Sequence, residues 1–273
     1  MPNESIPVVI LCGGKGTRMK EETEYRPKPL VEVGGRPVLW HIMKHYAYFG
    51  HDHFVLALGY KGGMIKDYFL NHRALANDFT FSLAKNSLEF HSGEKDDFRI
   101  TFADTGLESL TGARLLQIKK YIKGDTFMVT YGDGVSDLDI NDLIKFHRKK
   151  NVIATITGVH PHSKYGMVKI GKNGLVTNFD QKPRMEEYVS GGFMIFNKKI
   201  FDYLESGPME LAFPKLIKEK QLAIYCHDGF WKAVDTYQEL EELNRVWAGG
   251  RPWAVWESGY EIRKNTNIRK LKK

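Results

Sequence analysis

The sequence predicts an α/β protein, with a mixed, mostly parallel sheet, helices on both faces and a small antiparallel excursion. Three observations predict it. Short apolar runs rich in β-branched residues recur at 8–11, 54–59, 126–131, 152–159 and 192–196. Helix-period patterns lie between several of them, the alternation that a parallel sheet with covered faces requires. The first run ends in a glycine-rich loop, and ligands of such sheets collect at the carboxyl ends of strands.

The first run, Val8 to Leu11, leads into Cys12, Gly13, Gly14, Lys15, Gly16, Thr17 and Arg18. A P-loop requires Gly-Lys-Ser/Thr at its end, but here Lys15 is followed by Gly16; a dinucleotide fingerprint requires a third glycine where Met19 stands. What remains is a turn whose three glycines carry no Cβ to keep an anion from the backbone N–H groups. Arg18 adds a guanidinium fork suited to phosphate oxygens. Lys28 lies between Pro27 and Pro29, which biases it to an extended backbone and aims its ammonium. Three glycines alone would read equally well as an ordinary turn; the arginine and the caged lysine favour a polyphosphate.

Val38, Leu39, Ile42, Met43 and Tyr46 repeat at three and four, with Pro37 at the first turn and Gly50 at the end, and predict a helix. The stretch 79–104 reads as two strands around a polar turn, the antiparallel excursion. The strand 126–131 runs into Gly132, Asp133 and Gly134; an Asp-Gly pair is also a common turn. Asp235 precedes Thr236, whose spacing to Glu239 makes a capping box, so Asp235 can be a metal ligand or a charge favouring a helix start. Two carboxylates beside a phosphate loop suit Mg²⁺, which takes hard oxygens and bridges phosphates. Lys182 stands before Pro183, held extended in the same way, and is either a surface lysine or a second phosphate ligand. The pairs His51/His53 and His160/His162 lack a third ligand nearby and read as structural or solvated.

Composition narrows the class. The 273 residues are 42% hydrophobic, enough for a core, and no repeat or linker divides them, so residues 1–273 read as one domain. The net charge is +7, but residues 262–273 carry six cations and no acid, so a basic tail hangs on a nearly neutral body and no specific nucleic-acid partner is expected. Only Cys12 and Cys226 are present, without paired spacing. No apolar run reaches membrane-spanning length and the first residues lack the order of a signal peptide. A cytoplasmic protein without membrane contact is the expectation.

The loop Gly13-Gly14-Lys15-Gly16-Thr17-Arg18 followed by Lys28-Pro29 resembles the signature of the sugar-phosphate nucleotidyltransferases. The stretches "RPKPLVEVGGRPVLWHIMKHYAYFG", "DTGLESLTGARL", "YGDGVSDLDI" and "HDGFWKAVDT" resemble the cytidylyltransferase branch, over residues 8 to about 257. The resemblance implies a Rossmann-like fold, CTP and a sugar 1-phosphate (glucose 1-phosphate by default) as substrates, Mg²⁺ as cofactor, release of pyrophosphate, and a homo-oligomer. It places Leu11 to Arg18 and Lys28 on the triphosphate, Asp133 and Asp235 on the metal, and Lys182 on the sugar phosphate. Thr105, Ser109, Arg114 and Gly132 match positions around the nucleotide. The bend between Gly106 and Gly112 is expected to bring Ser109, Thr111 and Arg114 to the base edge. Gln181 stands where the family has Glu, and 205–221 matches poorly, so another phosphorylated acceptor or nucleotide is the alternative. A glycosyltransferase, whose Asp-x-Asp would be Asp137 and Asp139, and a noncatalytic subunit are the rival classes.

Overall fold

The computed structural model describes residues 5–19, 23–91 and 96–257, without the Arg18 side chain; the basic tail at 262–273 lies outside the described residues. Seven strands form the central sheet: β1 (Val8–Cys12), β2 (His53–Leu58), β3 (Arg99–Asp104), β4 (Thr126–Tyr131), β5 (Ala154–Val159), β6 (Val189–Asn197) and β7 (Leu222–His227). Their order is β7-β5-β6-β4-β1-β2-β3. All run the same way except β6, which is antiparallel to both neighbours.

β1 lies between two parallel neighbours, with Ile10 opposite Leu56 of β2 and Thr130 of β4. Because side chains alternate faces, Val8, Ile10 and Cys12 enter one core while Val9 and Leu11 enter the other. Both faces are covered, which is why the strand reads as an unbroken apolar run rather than an alternation. On the first face lie α1 (Val38–Tyr48), packed through Leu39, Ile42, Met43 and Tyr46, and α2 (Gly62–Leu70), through Ile65. α3 (Thr111–Ile118) packs on the other through Leu115 and Ile118. α4 (Ile140–Lys150) and α5 (Tyr237–Gly249) return to the first face through Leu143 and Leu243. Pro37 caps α1 from just outside instead of occupying its first turn.

The excursion is shorter than the sequence suggests. Phe79–Ser82 and Ser87–Phe90 form an antiparallel hairpin, but Arg99–Asp104 is β3, the parallel edge of the main sheet. Its alternating pattern fits any strand with one covered face, and only the partner strand β2 decides which sheet it joins. A second hairpin, Met167–Ile170 with Val176–Asp180, forms an exposed arm.

Two local expectations are overturned. Lys28 is not extended; it opens a 3₁₀ turn, Lys28–Leu30, closed by Leu30 N donating to Pro27 O at 2.8 Å, with Pro29 and Leu30 buried. Lys182 is not extended either, having a φ of +50°. At the base of the arm Ser163 N donates to Pro183 O and Met185 N to Pro161 O, and this pairing overrides the bias a following proline imposes.

Candidate active site

The glycine loop leaves the carboxyl end of β1 and crosses the ends of β2 and β4. Its backbone comes close to its neighbours: Tyr60 N donates to Gly13 O and Gly132 N to Leu11 O, both at 3.2 Å. A Cβ on Gly13 would lie 2.1 Å from the Arg114 guanidinium carbon, so only glycine fits there. Gly16 has a φ of +63°, the left-handed turn for which glycine carries no penalty.

Arg114 is the strut beneath this loop. It is buried, and its guanidinium donates to Gly13 O, Leu58 O, Gly106 O and Thr105 Oγ1 at 2.7–3.0 Å. Burial pulls its pKa below the ordinary arginine value. Its donors serve the protein, so the expectation that they read a base edge is corrected: a fork with several carbonyls in reach is satisfied before any ligand arrives. The Thr111 hydroxyl accepts from Met209 N at 2.8 Å, and that of Ser109 accepts from Gln117 Nε2 at 3.3 Å. Thr105 is buried and donates to Leu58 O at 2.6 Å.

The two acids, far apart in the chain, are joined by a small sheet. Gly134–Ser136 pairs antiparallel with Trp231–Ala233, Ala233 opposite Gly134, and Val234 N donates to Asp133 O at 2.9 Å. This sets Asp133 and Asp235 side by side. The capping box of α5 fixes the second: Asp235 N and Thr236 N donate to Glu239 Oε2 at 2.8 and 2.9 Å, and Glu239 N donates to Thr236 Oγ1. Asp235 is therefore both at a helix start and at the site. Lys28 Nζ bridges the pair, 2.6 Å from Asp133 Oδ2 and 2.7 Å from Asp235 Oδ1. Burial opposes its charge, yet the two carboxylates outweigh burial and raise its pKa above the ordinary lysine value. From the arm, Lys164 Nζ reaches Glu239 Oε1 at 3.3 Å and Asp235 Oδ2 at 3.8 Å.

These groups line a cavity of about 580 Å³. Leu11, Cys12, Gly13, Gly14, Gly16, Thr17, Lys28, Ser109, Thr111, Arg114, Gly132, Asp133 and Asp235 are all on its wall. Thr105 lies behind the wall. Lys182 sits exposed at the arm's base and is not one of the wall residues. The Arg18 side chain lies outside the described residues. Burial, with Asp133 adding to it, drives the Cys12 thiol well above its usual pKa, so it stays neutral. A groove of similar volume beside Tyr237 and Asn244 holds neither the loop nor the acid pair.

Several wall residues escaped the sequence reading. Tyr131 stands just before Gly132 and hydrogen-bonds Glu210; Trp231 donates to Gly191 O at 2.7 Å. The pair Gly191-Gly192 opens the opposite wall, where a Cβ on Gly192 would lie 2.7 Å from Tyr131 Cδ2. Two adjacent glycines inside β6 were the available signal.

Among the described residues no group of three His, Cys, Asp or Glu side chains gathers to hold a metal. Mg²⁺ needs only one or two carboxylates when phosphates and water complete its shell, and two hard carboxylates converging on one cation fit it. The histidine pairs divide between structural and solvated: His51 Nδ1 accepts from Ile6 N at 3.1 Å and His160 packs on Tyr188 at 3.9 Å between ring centroids, while His162 is exposed. Asp139 caps α4 by accepting from Asp142 N, and Asp137 accepts from Phe230 N and pairs with His227, so the Asp-x-Asp of a glycosyltransferase is absent from the cavity wall.

A glycine-rich loop at a strand end, a lysine and two acids thus meet on one cavity wall. The chain belongs to the nucleotidyl transferase family, whose model matches residues 7–248, and it is a nucleotidyltransferase. Within that family it is 42% identical over 257 residues to a probable glucose-1-phosphate cytidylyltransferase of Bacillus subtilis, covering 91% of this chain and 99% of the relative. To the glucose-1-phosphate cytidylyltransferase of Salmonella typhimurium it is 40% identical, again over 91% and 99%. Among solved structures, HddC from Yersinia pseudotuberculosis shares the fold at 23% identity, with a TM-score of 0.64 over 89% of this chain and 99% of that one. A UDP-glucose pyrophosphorylase complexed with UDP-glucose does so at 14% identity and a TM-score of 0.65, over 91% and 100%.

Proposed function

We propose that this enzyme transfers the cytidylyl group of CTP to a sugar 1-phosphate, glucose 1-phosphate by default, and releases pyrophosphate. The observation that carries the reading is the meeting of the glycine loop, Lys28, Asp133 and Asp235 on one cavity wall, in a chain 40–42% identical to relatives named for that reaction.

In this reading the N–H groups from Gly13 to Thr17, with Lys28 and Arg18, receive the triphosphate. Ser109, Thr111 and the backbone from Gly106 to Gly112 face the base, held in place by Arg114. Asp133 and Asp235 would hold Mg²⁺, which supplies charge neutralisation at the phosphates. An oxygen of the acceptor phosphate attacks the α-phosphorus in line and pyrophosphate departs opposite. That oxygen is already ionised at neutral pH, so no general base is needed and a neutral Cys12 is no obstacle. Lys182 is assigned to the acceptor phosphate; from its exposed place at the arm's base it would have to be brought to the cavity as the acceptor binds. We read the enzyme as cytoplasmic and self-associating. The arm supports the second point, for Ile170, Val176 and Phe179 expose one apolar face that a lone two-stranded hairpin cannot bury.

The test is pyrophosphate release across four nucleoside triphosphates and several sugar 1-phosphates. CTP with glucose 1-phosphate should give the highest kcat/KM. Equal rates with CTP and UTP, or a preferred acceptor other than glucose 1-phosphate, would replace that half of the reading.

A further inference from the structure

The geometry points to a second task for Lys28: without nucleotide its ammonium occupies the place between Asp133 and Asp235 that a divalent cation takes, and it leaves that place for the triphosphate. The inference rests on the proposed assignment of these two acids to the metal. One nitrogen lies 2.6 Å from an oxygen of Asp133 and 2.7 Å from an oxygen of Asp235. A magnesium ion seated on the same two oxygens at ~2.1 Å would press against that nitrogen, so the two cations exclude each other.

The displaced ammonium cannot simply turn into water. The Lys28 side chain is 14% exposed, and its backbone is fixed in the closed 3₁₀ turn between two prolines. Only its rotamers are free, and they sweep the cavity it shares with the glycine loop. Metal arriving alone therefore leaves a half-enclosed ammonium without an anion. Metal arriving with a triphosphate gives that ammonium a new one. The two ligands then bind with positive coupling, and by linkage each tightens the other equally. Lys164 does not set this competition: it lies 3.8 Å from Asp235 and is 58% exposed, so it reaches solvent at little cost.

The experiment titrates Mn²⁺, read by electron paramagnetic resonance of the free ion, into nucleotide-free protein. Lys28→Met and Lys28→Gln, each checked for folding by circular dichroism melts, should bind Mn²⁺ about tenfold or more tightly than wild type, the effect of removing one close competing charge. Lys28→Arg, which keeps the charge, should stay near wild type. Adding Asp133→Asn to Lys28→Met should abolish the gain. Folded Met and Gln variants that bind Mn²⁺ no better than wild type overturn the inference. In that event Asp133→Asn alone separates the causes: weakened binding means the metal assignment stands and the competition falls, while unchanged binding means the metal assignment itself is wrong. A gain that survives Asp133→Asn overturns both.

Discussion

Arg114 shows how much one buried side chain can govern. Its guanidinium joins Gly13 of the glycine loop to Leu58 at the end of β2 and to Gly106 of the bend before α3. Arg114→Lys keeps the charge but replaces a planar fork with a single point, so some of these carbonyls lose their donor. Each buried acceptor left unpaired costs roughly 1–3 kcal/mol. We expect a lower urea midpoint and a raised KM for the nucleotide, with the KM for the sugar phosphate little changed. A variant with both KM values at wild-type level would mean that the bend holds its shape without the strut. The role was half legible: the segment "DTGLESLTGAR" drew attention to residues that line the cavity, but nothing in its letters says whether arginine faces the cavity or the protein behind it.

At the scale of elements, the site depends on how β4 and β6 approach each other. Gly192 has a φ of +81° and would place a Cβ 2.7 Å from the Tyr131 ring; Gly35 has a similar φ of +78° with nothing within 4 Å. Alanine at either position costs about 1–3 kcal/mol of backbone strain. Only Gly192→Ala should also move Tyr131, and with it the bond to Glu210. Comparing the two variants isolates that displacement. Both should melt earlier than wild type, while only Gly192→Ala should raise KM for a substrate. Equal kinetic behaviour would show that the Tyr131 wall takes no part in binding. Five of the seven central strands were readable from their apolar runs, β7 was not, and the capping box of α5 was readable from its Thr-x-x-Glu spacing. The assignment of 99–104 to the main sheet was not, since alternation reports a covered face without naming the partner.

For the whole molecule, the buried histidines set an acid limit. Burial holds His41 and His45 down to about 4 from an ordinary 6.5. Between those values the unfolded chain binds more protons than the folded one, so stability is lost as pH falls from about 6.5 toward 4. Each histidine contributes roughly 1.4 kcal/mol per pH unit in that window. The urea midpoint should therefore begin to drop near pH 6.5, above the range where carboxylates protonate. A midpoint constant from pH 7.5 to 5 would mean these rings are protonated in place.

By itself the sequence determined what is local: the strand runs, the α1 and α5 patterns, the glycine loop, and the residue types able to meet phosphate and metal. Those features follow from periodicity, from missing Cβ atoms and from charge, all written over a few residues. The tertiary structure decided which of them meet. The pairing of Gly134–Ser136 with Trp231–Ala233 brings Asp133 to Asp235, and the buried turn at Lys28 places one ammonium between them. It also turned Arg114 inward and left Lys182 outside the cavity. Long-range pairing and side-chain direction depend on what the rest of the chain packs against, and neighbouring letters carry no record of that.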